Sequence, residues 1–228
     1  MTTMNLPRTY RFTLSQDLWS AVFLGLGITA VTYGISTAAH WTTGINWLEA
    51  LAVSTSYVCT WLVVRQRRFN YIFGAVSTAA YAILFWQTGL VASALLNAYL
   101  TPQLIYGWFR WRKDVSTRPV TRLIKEPKWI LVYCAVTIAA YLGAVYLVTA
   151  LGGQMPWIDG AILSGSILAQ FLLDNKRIET WFIWAVVNIL AIWTYLSNGL
   201  PLAGLQYLVF LANAGFGYMQ WRRTINEQ

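Results

Sequence analysis

Nearly the whole chain consists of apolar runs long enough to cross a lipid bilayer as helices. About 20 apolar residues in a helix span the hydrocarbon core. We place eight such runs at 18–39, 47–64, 69–87, 90–109, 129–150, 157–173, 180–197 and 201–221. Charged residues make up only 11% of the chain, which is too little charge to cover the surface of a soluble domain. The sequence therefore predicts an all-α membrane protein with about eight transmembrane helices in a single membrane domain, residues 1–228.

The 16 Lys and Arg residues fall only in alternate connections between these runs. They are Arg8, Arg11, Arg65, Arg67, Arg68, Arg110, Arg112, Lys113, Arg118, Arg122, Lys125, Lys128, Lys176, Arg177, Arg222 and Arg223. The other connections, 40–46, 88–89, 152–156 and 198–199, carry no Lys or Arg. By the positive-inside rule, this pattern predicts a multi-pass protein with both termini in the cytoplasm. A net charge of +8 can also indicate nucleic-acid binding. The cations form no continuous patch, however, so we expect the lipid bilayer and no nucleic acid as partner.

Two segments of the chain resemble each other at an offset of 110 residues, without a gap. Residues 47–113 align with 157–223, and the matches include Trp, Gly and Arg at helix ends, as in Trp47 with Trp157 and Gly107 with Gly217. Each segment contains three helices, and the run at 129–150 connects them. Both segments therefore enter the membrane in the same direction. We predict two parallel three-helix repeats joined by a connector helix, with an extra N-terminal helix at 18–39.

The sequence carries none of the common catalytic or phosphate-binding motifs. HExxH, GxSxG, Walker A and GxGxxG patterns are missing, and His40 has no metal-ligand partner nearby in sequence. Cys59 and Cys134 both fall within apolar runs, where cysteine behaves as a small apolar side chain. We therefore expect no metal, no cofactor and no enzyme, and a transporter is the leading class. A passive channel and an integral membrane enzyme are the alternatives.

Uncharged polar residues lie in the middle of several runs, although Lys, Arg, Asp and Glu do not. At membrane depth such groups usually face a bundle interior or cavity, although interhelical hydrogen bonds use the same residue types. Three pairs coincide at the 110-residue offset: Thr60 with Gln170, Thr78 with Asn188, and Gln103 with Asn213. A central cavity shared between the two repeats would place polar groups in this way. Asn97 and Gln206 are further candidates for its lining.

The seventh run carries Trp181, Trp184 and Asn188 at a spacing that places them on one helix face. Most of the other Trp residues lie near run ends, where an interfacial aromatic belt accounts for them. Trp184 and Trp61 lie deeper. A deep Trp beside amides suits a flat aromatic ligand, and a cationic ring can bind over its face without a buried carboxylate.

At these residues the sequence resembles the bacterial nicotinamide riboside transporters, the PnuC family. The stretch 178–188 resembles that family's E-x-W-x-x-W-x-x-x-N segment, and 105–111 resembles the YGWY-x-W end of its first repeat. Residues 217–221 resemble the matching end of the second repeat. The resemblance covers about 47–223, so the chain is identified as a member of this family.

The resemblance implies a SWEET-like fold in the bacterial inner membrane and vitamin uptake by facilitated diffusion, with alternating access between the two repeats. It also implies a cytoplasmic kinase that traps the imported nucleoside, and homotrimers occur in the family. With nicotinamide riboside as substrate, Trp184 and Trp181 stack near the ring, and amides bind the carboxamide or ribose. The predicted substrate-binding residues are Trp184, Asn188, Trp181, Gln103, Gln206, Asn213, Asn97, Trp61 and Gln170. Thiamine and riboflavin are the alternative substrates.

Overall fold

A computed structural model describes residues 13–41, 44–89, 91–111, 119–123, 127–152, 155–197 and 201–227 of the chain. Within these ranges the chain forms eight α-helices and no β-strand, apart from an isolated bridge between Thr121 and Arg177. The helices are α1 (Leu14–Ala38), α2 (Trp47–Val64), α3 (Asn70–Gln87), α4 (Val91–Arg110), α5 (Pro127–Ala150), α6 (Pro156–Asp174), α7 (Thr180–Ser197) and α8 (Pro201–Asn226). The predicted all-α class is confirmed. The largest differences from the predicted runs are an earlier start of α1 and a later end of α8.

Five of the helices are long and apolar enough to cross a membrane: α1, α2, α5, α6 and α7. The other three, α3, α4 and α8, carry many of the polar side chains that face the interior, among them Thr78, Asn97 and Gln206. Helix α5 is the most exposed element, since Leu131 is 73% and Val136 is 61% exposed. These apolar surfaces need a lipid environment, which makes the chain a multi-pass membrane protein.

Sequence-local signals explain where several helices begin and end. The Thr13 hydroxyl accepts the backbone N–H of Gln16, whose side chain accepts the N–H of Thr13, so α1 begins with a capping box. The Asn46 side chain accepts the first free N–H groups of α2. Gly89 and Gly152 follow the ends of α3 and α5 with φ of 77° and 76°, a conformation that glycine adopts at little cost.

The helix ends and loops gather at two faces of the bundle, one of which carries the cations. We call this the basic face, formed by 13–17, 65–69, 110–111, 119–123, 175–179 and 222–227, and the other the opposite face. Contacts within the basic face join distant segments: Arg65 Nε donates to Asp17 of α1 at 2.9 Å, and Arg110 donates to Asn175 at 3.3 Å. The predicted cations Arg8, Arg11, Arg112, Lys113, Arg118 and Lys125 lie outside the described residues.

Two turns at the basic face have the same geometry and contact each other. Gln66 follows α2 with φ of 53°, and Lys176 follows α6 with φ of 52°; these residues are 110 positions apart. Lys176 Nζ donates to Gln66 Oε1 at 3.0 Å, and both side chains are buried. The buried Lys176 side chain therefore joins the two turns. The sequence pattern alone indicates only that a cation in this loop helps to set the orientation of the chain in the membrane.

Two glycines allow close contacts between aromatic rings and helix backbones near the basic face. Gly107 of α4 lies against the Tyr71 ring, and Gly217 of α8 lies against the Trp181 ring. Each ring also packs edge-on against a tryptophan one helical turn further on. Tyr71 and Trp111 have centroids 5.2 Å apart, and Trp181 and Trp221 have centroids 5.3 Å apart. Any side chain at either glycine would overlap the ring.

We expect Gly107→Ala to destabilise the protein, because the added methyl group must displace the buried Tyr71 ring. Overpacking of this kind costs about 1–3 kcal/mol. Thermal unfolding in detergent measures the effect. Gly143→Ala is the matched control, since a methyl group added at Gly143 of α5 would meet no other atom within 4 Å. A Gly107→Ala protein that melts at or above the wild-type temperature would contradict this packing.

Candidate functional site

A central cavity of about 220 Å³ lies between α2, α3, α4, α6, α7 and α8. It extends from Glu49, in the first turn of α2 near the opposite face, to Leu173 and Trp181 near the basic face. Its polar and aromatic lining comprises Glu49, Ser56, Thr60, Ser77, Thr78, Tyr81, Phe85, Asn97, Ser166, Gln170, Trp181, Trp184, Asn188, Gln206, Tyr207, Phe210 and Asn213. Within the described part of the chain, this lining contains no Lys or Arg.

Helix α7 brings Trp181, Trp184 and Asn188 to the same cavity, as their spacing predicts. Asn188 is 3% exposed and lies on the lining one turn beyond Trp184. Trp181 belongs equally to the protein core, because its ring packs edge-on against Trp221 and is 4% exposed. Trp184 thus presents the more available indole on this helix, and Asn188 places an amide beside it.

A chain of hydrogen bonds connects three helices on the wall near the opposite face. The Tyr81 hydroxyl of α3 donates to Gln206 Oε1 of α8 at 2.6 Å. Gln206 Nε2 in turn donates to the Ser56 hydroxyl of α2 at 3.1 Å. Asn97 and Asn213 bond to backbone carbonyls, with Asn97 Nδ2 on Ser93 and Asn213 Nδ2 on Thr60. The amides of the lining are therefore held by protein groups that a polar ligand could replace.

A second network closes the cavity towards the basic face around Asp174, the last residue of α6. Its carboxylate accepts three side-chain hydrogen bonds: from the Tyr71 hydroxyl at 2.7 Å, from Gln103 Nε2 at 2.8 Å and from Gln170 Nε2 at 2.9 Å. Its backbone carbonyl accepts the Trp111 indole N–H at 3.1 Å. Asp174 is 1% exposed. One buried carboxylate therefore joins α3, α4 and α6 at this end of the cavity.

Apolar side chains complete this closure. They form a core cluster that includes Val63, Tyr71, Leu104, Trp181 and Trp221. The loop between α4 and α5 also takes part, because Val120 is 3% exposed in the same cluster. The backbone N–H of Leu123 donates to Glu179 Oε1 at 2.8 Å, which attaches this loop to the start of α7. The cavity is therefore closed by several layers of side chains at the basic face.

Two of the predicted site residues do not line the cavity. Gln103 points to Asp174, although Asn213, 110 positions later in the chain, does line the cavity. Trp61 faces α1 and α8: its indole N–H donates to Ser20 at 3.3 Å, and its ring stacks on Phe216 at 5.7 Å. The other predicted residues, Trp181, Trp184, Asn188, Gln206, Asn213, Asn97 and Gln170, are brought together on the lining.

The sequence reasoning missed the tyrosines of the site and the role of Asp174. Tyr81 and Tyr207 line the cavity, but aromatic residues in apolar runs are usually assigned to packing or to the membrane interface. A signal was available for Tyr81, which lies three residues after Thr78 and therefore on the same helix face. Asp174 stands at the end of an apolar run, where its burial depends on residues far away in sequence.

Comparison with known proteins assigns the chain to a family. The sequence profile of a family described as "Nicotinamide mononucleotide transporter" matches residues 46–223. The chain belongs to this family. It is also similar to a solved structure, the crystal structure of the vitamin B3 transporter PnuC, with a TM-score of 0.71, 27% identity and coverage of 95% of this chain and 94% of that chain. Membership in the nicotinamide mononucleotide transporter family makes the chain a membrane transporter and not an enzyme.

Individual relatives within and near this family carry names of vitamin transporters. The nicotinamide riboside transporter PnuC of Neisseria mucosa is 30% identical over 227 residues, covering 93% of this chain and 82% of the relative. PnuC of Escherichia coli is 27% identical over 212 residues, covering 81% and 88% respectively. The riboflavin/roseoflavin transporter RibM of Streptomyces davaonensis is 24% identical over 138 residues, covering 58% and 64%.

Proposed function

We propose that this chain takes up nicotinamide riboside through the central cavity. The observation that carries the proposal is the lining itself: two indoles and several amides surround a space without Lys or Arg among its described residues. Cationic pyridinium rings bind over aromatic faces, and amides can bind a carboxamide or ribose hydroxyls. Relatives that match 80% or more of this chain are named nicotinamide riboside transporters.

The same lining favours the nucleoside over the mononucleotide in the family description. A phosphate group is usually recognised by Arg or Lys or by free N–H groups at a helix N-terminus. The described lining offers no such cation, and Glu49 adds a negative charge at one end. Transfer of a phosphate into this cavity would leave its charge uncompensated. The expected substrate is therefore the unphosphorylated form.

Uptake into proteoliposomes tests this assignment. We expect the initial rate of uptake of labelled nicotinamide riboside to saturate and the unlabelled nucleoside to compete with it. The mononucleotide is expected to compete at least about tenfold more weakly than the nucleoside, since one uncompensated charged contact costs at least about 1.4 kcal/mol. Thiamine and riboflavin are run in parallel as competitors. Stronger competition by riboflavin would favour the function named for RibM, and uptake that does not saturate would indicate a channel.

We further propose that residues 47–113 and 157–223 are parallel repeats that move relative to each other around the cavity. The contacts of Tyr71 with Gly107 and Trp111 and of Trp181 with Gly217 and Trp221 support this pairing, because both sets occur at the same 110-residue offset. Alternating access then requires the Asp174 network and the core cluster to separate when the cavity opens to the basic face. In this proposal 129–150 is the connector and 18–39 the extra helix.

We also place the basic face in the cytoplasm of a bacterial inner membrane, with both termini inside, on the strength of the positive-inside rule. In this orientation the cavity is closed towards the cytoplasm. Facilitated diffusion then needs a cytoplasmic kinase to trap the nucleoside as its phosphate, since no ion-coupling carboxylate lies in the middle of a described helix. The homotrimer implied by the family resemblance is part of the same proposal, and cross-linking in native membranes tests it.

A further inference from the structure

A second cavity, of about 290 Å³, lies at the opposite face beside the central one. It is bounded by the start of α4, the end of α5, the start of α6, the end of α7 and Tyr207 of α8. All these helix ends belong to the opposite face, so we call this space the outer cavity. Leu96, Asn97 and Tyr207 line both cavities. These three side chains therefore form the partition between the outer and the central cavity.

The outer cavity combines an aromatic surface with a single carboxylate. Tyr195 and Tyr207 are stacked, with ring centroids 5.2 Å apart and an interplanar angle of 25°. The Tyr195 hydroxyl lies 3.3 Å from the Ser93 hydroxyl, which orients this ring at the edge of the cavity. Asp159, in the first turn of α6, lines the same space and is half-buried. An aromatic face next to a carboxylate attracts a flat cation both by the cation–π interaction with the ring and by the Coulomb attraction of the carboxylate.

Asp159 corresponds to Glu49 at the 110-residue offset, but the two carboxylates have different surroundings. Glu49 accepts a hydrogen bond from the Tyr33 hydroxyl of α1 at 3.2 Å. Val148 of α5 and Leu151, just after the end of this helix, line the outer cavity on this side, and neither side chain has a donor group. Among the described residues, no side chain hydrogen-bonds to the Asp159 carboxylate. Its charge is thus available to a ligand in the cavity.

The charge distribution of the chain favours a cation at this position. The connections at the opposite face, 39–46, 88–90, 151–155 and 198–200, contain no Lys or Arg, and the nearest carboxylates are Glu49 and Asp159. A cation that approaches this face meets no fixed positive charge, and a half-buried carboxylate is less screened by salt than an exposed one. Both features act on a ligand before it reaches the partition.

We propose that the outer cavity is a loading site for aromatic cations, in which a pyridinium-type ring lies against Tyr195 and Tyr207 with Asp159 as its counter-charge. From there the ligand passes the partition of Leu96, Asn97 and Tyr207 into the central cavity. This inference rests on the proposed uptake of a cationic nucleoside and adds a first binding step to it. The loading site acts on capture of the ligand, so its loss raises KM and leaves the maximal rate unchanged.

The test measures initial uptake of labelled nicotinamide riboside by wild-type, Asp159→Asn and Asp159→Glu proteins in proteoliposomes, at low and at high ionic strength. We expect D159N to raise KM by about five- to tenfold at low salt, with the difference shrinking at about 0.5 M salt, where charge interactions are screened beyond a few Å. D159E keeps the charge and is expected to retain a KM close to that of the wild type.

A second variant, Tyr195→Leu, removes the aromatic surface without changing charge and is expected to raise KM by a similar factor at both salt concentrations. The loading site is overturned if both D159N and Tyr195→Leu keep the wild-type KM, or if D159E is impaired as strongly as D159N. A wild-type protein that takes up no nicotinamide riboside overturns the proposed function and the loading site together. Normal wild-type uptake with unchanged variants overturns the loading site alone.

Discussion

Replacing Asp174 with alanine is expected to lower the thermal stability of the protein strongly and to abolish uptake. The carboxylate accepts hydrogen bonds from Tyr71, Gln103 and Gln170, and Tyr71 and Gln170 are themselves buried. Alanine leaves these donors without their acceptor, and each buried unsatisfied group costs about 1–3 kcal/mol. The expected loss of at least about 2 kcal/mol corresponds to a fall in melting temperature of roughly 4–8 °C for a domain of this size.

Thermal unfolding in detergent and uptake into proteoliposomes measure the two effects of the exchange. Asp174→Asn is the matched control, because Oδ1 can still accept from Tyr71 and Gln170. The Gln103 amide can then rotate so that its oxygen faces the new Nδ2 group. We therefore expect Asp174→Asn to lose about 1 kcal/mol or less. If Asp174→Ala melts within a degree of the wild-type protein, the network does not hold α3, α4 and α6 together.

Replacing Trp184 with alanine is expected to weaken binding of nicotinamide riboside by about 10- to 100-fold. Loss of an aromatic surface under a stacked ring typically costs about 1–3 kcal/mol, and the cation–π attraction of a cationic ring lies in the same range. Trp184 lines the cavity and is only partly buried in the adjoining core cluster. Its removal therefore acts on the ligand more than on the fold.

Equilibrium titration of the detergent-solubilised protein gives the dissociation constant for this comparison. Trp193→Ala is the matched control on the same helix, because Trp193 is 52% exposed and is not part of the cavity lining. We expect the control to bind like the wild type and both variants to unfold cooperatively. Equal affinity of Trp184→Ala and Trp193→Ala would remove Trp184 from the binding site.

The local part of the structure follows from patterns that can be read along the chain. A helix in a bilayer must satisfy all its backbone hydrogen bonds internally, so eight apolar runs produce eight helices with nearly the predicted bounds among the described residues. The spacing of Trp181, Trp184 and Asn188 likewise places them on one face, because 3.6 residues per turn does not depend on the neighbours of the helix. These residues of α7 can therefore be assigned to one surface from their spacing alone.

The face that each helix turns towards the cavity depends on partners from elsewhere in the chain. Gln103 and Asn213 occupy corresponding positions, yet Gln103 points to Asp174 while Asn213 lines the cavity. Gln103 finds its acceptor in Asp174. The residue 110 positions before Asp174 is Val64, whose side chain has no acceptor to offer Asn213. The position of Trp61 within its apolar run predicts that its side chain lines the cavity. In the structure its indole N–H instead donates to Ser20 of α1, on another side of α2.

The membrane environment, the number and bounds of the helices, and the segregation of the cations into alternate connections can all be derived from the sequence alone. These properties depend on hydrophobicity and helical period, which are local to each segment. Tertiary packing selects the amides that line the cavity, buries Lys176 and Asp174 at the basic face and creates the outer cavity beside Asp159. Each of these results needs side chains from several helices, and their mutual rotation is set by packing that no single segment contains.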